Sequence, residues 1–295
     1  MRWNDNGESP DVIDRRGEGG GGGSSGGGLL SFIPILLQSK LGWIVLLIGG
    51  AIWLFSTLFG GSPSTTPPHS PTANGHAAQP AKAARSDDKD AHFAGFVLDD
   101  AQATWTKEFA ARGKSYRHAK MVLFTDATQT ACGAGQTATG PFYCPSDERV
   151  YIDLGFFKQL SSRFGAKGDF AQAYVVAHEI GHHVQKQLGI SDRVHGSKTK
   201  GAEGSSVRLE LQADCFAGVW AHSTDQRKLL DPGDVDEAMT AAQAVGDDRL
   251  QKQSGGAVRP ESWTHGSSAE RQRWFKRGFD TGKLEECDTF SSNDL

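Results

Sequence analysis

Residues 169–188 read DFAQAYVVAHEIGHHVQKQL, and the fold is read outward from this stretch. Apolar residues recur at helical spacing, Asp169 opens the first turn, and Gly189 follows the last periodic position, so the spacing predicts an α-helix ending at Leu188. Inside it stands His178-Glu179-Ile180-Gly181-His182. Residues four apart share a helix face, so both imidazoles can point at one ion. Glu179 lies beside that face, placed to contact the ion's water rather than the ion. Zinc brings the pKa of such a water toward 7, and a carboxylate can take its proton as it attacks a carbonyl. With ten histidines in the chain, a chance H-E-x-x-H is on the order of one in a hundred. Gly181 costs about 1 kcal/mol in a helix interior, which points to a neighbouring group in close approach. His183 lies about 140° around the helix from His178, so it supports the site from behind or faces solvent rather than sharing the ion.

A catalytic zinc takes three protein ligands and keeps a fourth position for water. The missing ligand must come from another element. A second helix, predicted over 205–222, carries Glu210-Leu211-Gln212-Ala213-Asp214, with both acids on one face. Glu210 is the candidate third ligand, and Asp214 can accept the ring N–H of a ligand histidine. A lone helix glutamate is ordinarily a solvated one. Two acids among Val207, Leu209, Leu211, Ala213, Phe216 and Ala217 are harder to place in water. The loop 191–204 between the helices, rich in Gly and Lys, could cover the site or carry specificity.

Around this pair, apolar spacing predicts a helix over 96–112, and the short apolar runs 119–124 and 150–154 read as strands. Further helices are predicted over 155–164, over 232–245 with Asp231 as N-cap, and over 267–279 with Ser267 and Glu270 in capping-box spacing. A few strands followed by several helices give an α+β domain, mostly helical with a small sheet, over 90–295.

The N-terminal third reads differently. Many of the 37 glycines fall between Gly17 and Gly28, so residues 1–40 are expected to be a disordered tail. Residues 41–59 (LGWIVLLIGGAIWLFSTLF) carry no charge and would rise about 28 Å as a helix, close to the hydrocarbon thickness of a bilayer. Residues 60–89, rich in Pro, Ala, Ser and Thr, read as a flexible linker. Arg2, Arg15, Arg16 and Lys40 precede the span, and no Lys or Arg comes after it until Lys82. The positive-inside rule therefore predicts a single-pass protein of the bacterial cytoplasmic membrane, N-terminus inside and catalytic domain outside. The net charge of −4, with no dominant basic block, argues against a nucleic-acid partner. Cys132, Cys144, Cys215 and Cys287 all fall in the expected external domain, where an even count favours disulfides. Three pairings are possible. Cys132–Cys144 with Cys215–Cys287 is preferred, and a cysteine zinc site is disfavoured because no C-x-x-C pair exists.

An H-E-x-x-H helix followed by an E-x-x-A-D helix resembles the gluzincin metallopeptidases. More narrowly, residues 140–157 (GPFYCPSDERVYIDLGFF), 176–183 (VAHEIGHH), 208–220 (RLELQADCFAGVW) and 264–278 (THGSSAERQRWFKRG) are similar to the bacterial "putative neutral zinc metallopeptidase" family of membrane-anchored proteins. The resemblance implies a zincin-like fold, one catalytic zinc on His178, His182 and Glu210, and Glu179 as general base. It also implies a donor to the oxyanion opposite that base, for which His265 paired with Arg271 is the candidate. In zincin folds an edge strand near the motif helix pairs with extended substrate, and 150–154 is the natural candidate. The expected function is hydrolysis of peptides or proteins. A silent zincin-fold binding or scaffold protein, or a zinc amidase acting on cell-wall peptides, would use the same residues.

Overall fold

The computed structural model describes residues 1–5, 7–18, 88–195 and 199–295. The expected membrane span 41–59, the glycine-rich part of the tail and nearly all of the linker lie outside the described residues. Among the described residues no helix is long and apolar enough to cross a membrane.

In chain order the elements are β1 (Val12–Asp14), α1 (Asp88–Ala110), β2 (Lys120–Phe124), β3 (Ala127–Thr130), β4 (Gly133–Gln136), β5 (Phe142–Cys144), β6 (Arg149–Asp153), α2 (Gly155–Ser162) and α3 (Asp169–Gln187). They continue with α4 (Ile190–His195), α5 (Ser205–Gln226), α6 (Asp234–Ala244), α7 (Asp247–Gln253) and α8 (Ser268–Thr281). The domain is mixed α+β, mostly helical with small sheets, as its sequence predicts. Helix α1 begins earlier than predicted because Ala91, Phe93 and Ala94 already face the core. The capping box at Ser267 and Glu270 forms as expected and starts α8. Asp231 does not cap α6 with its side chain, since its carboxylate accepts from Arg2 Nε at 2.8 Å.

The main sheet runs β1-β2-β6-β5, with β1, β2 and β6 parallel and β5 antiparallel to β6. Alternation along β2 sends Met121 and Leu123 into the main core and Val122 and Phe124 into a second cluster with Cys144 and Tyr151. The β3–β4 hairpin covers that second face: a Cβ on Gly135 would lie 2.6 Å from the Phe142 ring. The Cys132–Cys144 disulfide ties the hairpin to β5. Residues 150–154 are therefore not an edge. Strand β6 is hydrogen-bonded on both sides, and β5 takes the edge position. The more apolar, β-branched run is the central one because both of its faces are buried.

Residues 1–18 are not a disordered tail either. Strand β1 pairs with β2 in the register Val12↔Met121 to Asp14↔Leu123. Trp3 packs edge-on against Phe93, with centroids 5.2 Å apart. The N-terminal ammonium lies 2.7 Å from Asp169 and 3.2 Å from Asp234. The acidic group Asp169, Asp234 and Glu237, which has the spacing of a cation site, thus already holds a cation of the chain itself. A few apolar anchors and charge pairs outweigh the ordering entropy that the polyglycine run suggested would prevail.

Helices α3, α5, α6 and α8 form the core of the helical layer. Helices α5 and α8 cross in close contact at two glycines: a Cβ on Gly218 would strike the Phe275 carbonyl, and one on Gly278 the Cys215 carbonyl. The Cys215–Cys287 disulfide, with Cα atoms 5.6 Å apart, fastens the C-terminal segment to α5. Both disulfides follow the preferred pairing. Reducing Cys215–Cys287 is expected to lower the unfolding free energy by about 2–4 kcal/mol, read as the shift in denaturation midpoint on adding reductant. An unchanged midpoint with both thiols demonstrably free would refute this.

Candidate metal centre

Helix α3 crosses the core with its apolar face buried and brings His178 and His182 one turn apart onto the wall of a cleft. Helix α5 lies against it at the point where Gly181 faces Ala213. A Cβ at Gly181 would sit 2.9 Å from the Ala213 carbonyl oxygen and 3.1 Å from its Cα. Only glycine allows this approach, and the approach brings Glu210 beside the two histidines. One ligand atom from each of His178, His182 and Glu210 lies within 4.8 Å of the others. The Glu210 carboxylate is 3.2 Å from His178 Nε2 and 3.5 Å from His182 Nε2. Replacing Gly181 with alanine is expected to cost about 1–3 kcal/mol by overpacking against backbone that cannot yield. Zinc affinity should fall with it, and titration of G181A with a zinc-competing chelator checks this. Wild-type affinity at wild-type stability would show that the contact does not set the cluster.

The far nitrogen of each histidine is held from behind. His178 Nδ1 lies 2.8 Å from Asp214 Oδ1, as the spacing of Asp214 from Glu210 predicts. His182 Nδ1 lies 2.9 Å from Gln185 Oε1, one helical turn on. Gln185 donates to the Leu209 carbonyl at 2.6 Å and to Gln212 Oε1 at 3.1 Å, and Gln212 donates to the Cys287 carbonyl at 2.9 Å. With Nδ1 of each ring held by these acceptors, Nε2 is the nitrogen turned toward the cluster, the one a metal would take.

Asp214 is fully buried. It accepts from the Tyr174 hydroxyl at 2.5 Å and from Arg271 through two bonds, Nε to Oδ2 at 2.8 Å and Nη2 to Oδ1 at 2.9 Å. Burial alone would raise the Asp214 carboxyl. The charges of Arg271 and His178 and their hydrogen bonds outweigh it and hold the group below the ordinary carboxylate range. Arg271 is therefore not the partner of His265 expected from the sequence; it stands behind the ligands and secures Asp214. His265 does line the cleft, with Nδ1 3.3 Å from Asp247 Oδ1. That hydrogen bond, opposed by burial and aided by the charge of Glu210, raises its pKa. Asp247 also accepts from the backbone N–H groups of Thr264, His265 and Gly266, which fixes the loop that carries the ring.

His183 is fully buried rather than facing solvent. Its Nδ1 meets the Tyr143 hydroxyl at 2.9 Å and its Nε2 the Arg117 carbonyl at 2.7 Å, so it joins α3 to edge strand β5. Glu179 is buried in the cleft wall beside the ligands. Sequence reasoning missed Gln185, Tyr143 and Tyr174. Gln185 had a usable signal, the i, i+3 spacing from His182 on one helix.

The cleft has two arms that share Tyr143, His182 and Glu210. One arm, about 480 Å³, is bounded by Phe156, Phe164, Val175 and Leu250 and reaches His265. The other, about 410 Å³, runs toward Ser191 and Asp192, so α4, within the loop expected to cover the site, forms one of its walls. The donor set, two imidazoles and a carboxylate with backing acceptors, fits zinc.

The sequence profile described as "Putative neutral zinc metallopeptidase" matches residues 1–290. The uncharacterized protein YpfJ of Escherichia coli strain K12 is 51% identical over 212 residues, covering 70% of this chain and 74% of that protein. The uncharacterized protein Rv2575 of Mycobacterium tuberculosis strain H37Rv is 48% identical over 191 residues, covering 61% of this chain and 65% of that one. No solved structure matches. On the profile match, which runs nearly the whole length, the chain belongs to the family described as putative neutral zinc metallopeptidases, a membership that implies a zinc ion.

Proposed function

We propose that the protein is a zinc endopeptidase that cleaves extended polypeptide segments, with His178 Nε2, His182 Nε2 and the Glu210 carboxylate as ligands. The observation that carries this is the cleft, open on both sides of the three ligands and flanked by edge strand β5. A chain laid along β5 by strand addition would pass the ligands and continue in both directions, as an internal cut requires. The apolar arm beside Phe156, Phe164 and Leu250 suits a bulky apolar side chain next to the scissile bond.

Zinc, when bound, supplies Lewis acidity, polarising the carbonyl and acidifying a water. Glu179 accepts the proton of the attacking water and returns it to the leaving nitrogen. His265, kept protonated to higher pH by Asp247, donates to the carbonyl oxygen as negative charge gathers there. Asp214, Gln185 and Arg271 keep the ligands oriented. Membrane attachment through residues 41–59 and a domain outside the cytoplasm complete the proposal, supported by the apolar run and by two disulfides.

The test is zinc content and cleavage of a denatured protein by the purified full-length chain. About one zinc per chain is expected, with internal cuts that stop on chelation and return with added zinc. Stoichiometric zinc without any cleavage would make it a binding protein. Release of terminal residues alone would overturn the internal cut.

A further inference from the structure

A chain that crosses a bilayer once leaves its two flanks on opposite faces. Residues 1–18 and 88–295 are the two flanks of the apolar run, yet they form one folded unit. The N-terminal segment supplies an edge strand to the main sheet, where Met121 N donates to the Asp11 carbonyl at 2.9 Å and Arg15 N to the Leu123 carbonyl at 2.8 Å. Ser9 Oγ donates to Asp99 at 2.7 Å. The Asp11 carboxylate accepts from Gln102 at 2.9 Å and Lys120 at 2.6 Å and meets His118 at 2.8 Å. Arg2 N donates to the Leu229 carbonyl at 2.7 Å.

The domain is also shaped for the segment. Gly95 in the middle of α1 faces it, and a Cβ there would lie 3.2 Å from Ser9 Cβ and 3.5 Å from a Val12 methyl. A glycine in a helix interior costs about 1 kcal/mol, and here it makes room for the segment. The family match begins at residue 1, so the segment lies within the region matched.

Strands pair at about 4.8 Å, and the bilayer's hydrocarbon is about 30 Å thick, so β1 cannot reach β2 through a membrane. We infer that residues 1–18 share a compartment with the domain. Three of the four charges that predicted an inside N-terminus have other work: Arg2 pairs with Asp231, Arg15 with Glu18 and Arg16 with Asp14. They count as parts of a folded surface rather than as a topology signal. This inference stands apart from peptide hydrolysis, and either can fail alone.

The experiment uses the full chain in intact bacterial cells. Two single variants at exposed positions, E8C and K107C, are treated with a membrane-impermeant maleimide before and after permeabilisation. The native cysteines are paired and do not react. Equal labelling of both in intact cells is expected. Labelling of one in intact cells and of the other only after permeabilisation overturns the inference. Shielding of both until permeabilisation upholds the shared compartment and refutes the external placement proposed above. The double variant S9C/G95C tests the docking itself, because its Cβ separation is near the roughly 3.5–4.5 Å that a disulfide spans. A cross-linked monomer is expected on non-reducing gels. No link in purified, folded protein under oxidant would show that the segment is not docked and sink the premise.

Discussion

Replacing Glu179 with glutamine is expected to leave the zinc content unchanged and to lower kcat by about 10²- to 10⁴-fold, the range associated with losing a general base. Glutamine keeps the shape and the hydrogen-bonding reach of the side chain but cannot take a proton. Glu179 is not one of the three gathered ligands, so the metal cluster does not depend on it. The contrast with Glu210→Ala makes the result specific. There the cluster loses a donor, and zinc should fall together with activity. Zinc analysis of both purified variants, beside cleavage of a denatured protein, separates the roles. Equal cleavage by wild type and E179Q would end the general-base assignment. Full zinc on E210A would remove Glu210 from the ligand set.

The second large effect is on stability. Arg271→Leu is expected to destabilise the domain by about 3–5 kcal/mol, because it strands the buried carboxylate of Asp214 beside the ligand helix. Two charge-assisted bonds are lost while the acid remains. In a domain of this size the melting temperature should fall by about 6–20 °C. The double variant D214N/R271L removes both charges and should recover part of that loss, so the double-mutant cycle should show a favourable coupling. Its zinc affinity should still be lower than wild type by about 10- to 100-fold, since a neutral amide in place of the carboxylate no longer sets the His178 tautomer with a full charge. Additive effects in the cycle would mean that the pair does not act as a unit.

How much could be read from the sequence depended on the range of each signal. Helical spacing operates over four residues, and it was enough to pair His178 with His182 and Glu210 with Asp214; joining the two helices took the need for a third ligand and the resemblance to a known family. Glycine inside α3 correctly announced a close neighbour, which proves to be Ala213. The order of strands in a sheet is a long-range property, and residues 150–154 were assigned to an edge although they lie at the centre. Strand β5 is three residues long and comes directly after Pro141, too short for alternation to register. The partner of Arg271 was misjudged for a similar reason. Sequence proximity joined it to His265, whereas folding carried it to Asp214, 57 positions away. The N-terminal segment was obscured by the polyglycine run behind it, whose composition dominated the few anchors Trp3, Val12 and Ile13.

The bond between Cys215 and Cys287 has a consequence beyond holding the fold together. Cys215 adjoins Asp214, and the Cys287 carbonyl is the far end of the relay through Gln212 and Gln185 to His182. The centre is thereby coupled to the thiol balance of its surroundings. In a glutathione-rich cytosol, where such bonds stay reduced, the segment carrying the far end of that relay would lose its covalent tie to α5. If the domain lies outside the cytoplasm as proposed, that tie would be set only after the chain had left the cell's reducing interior.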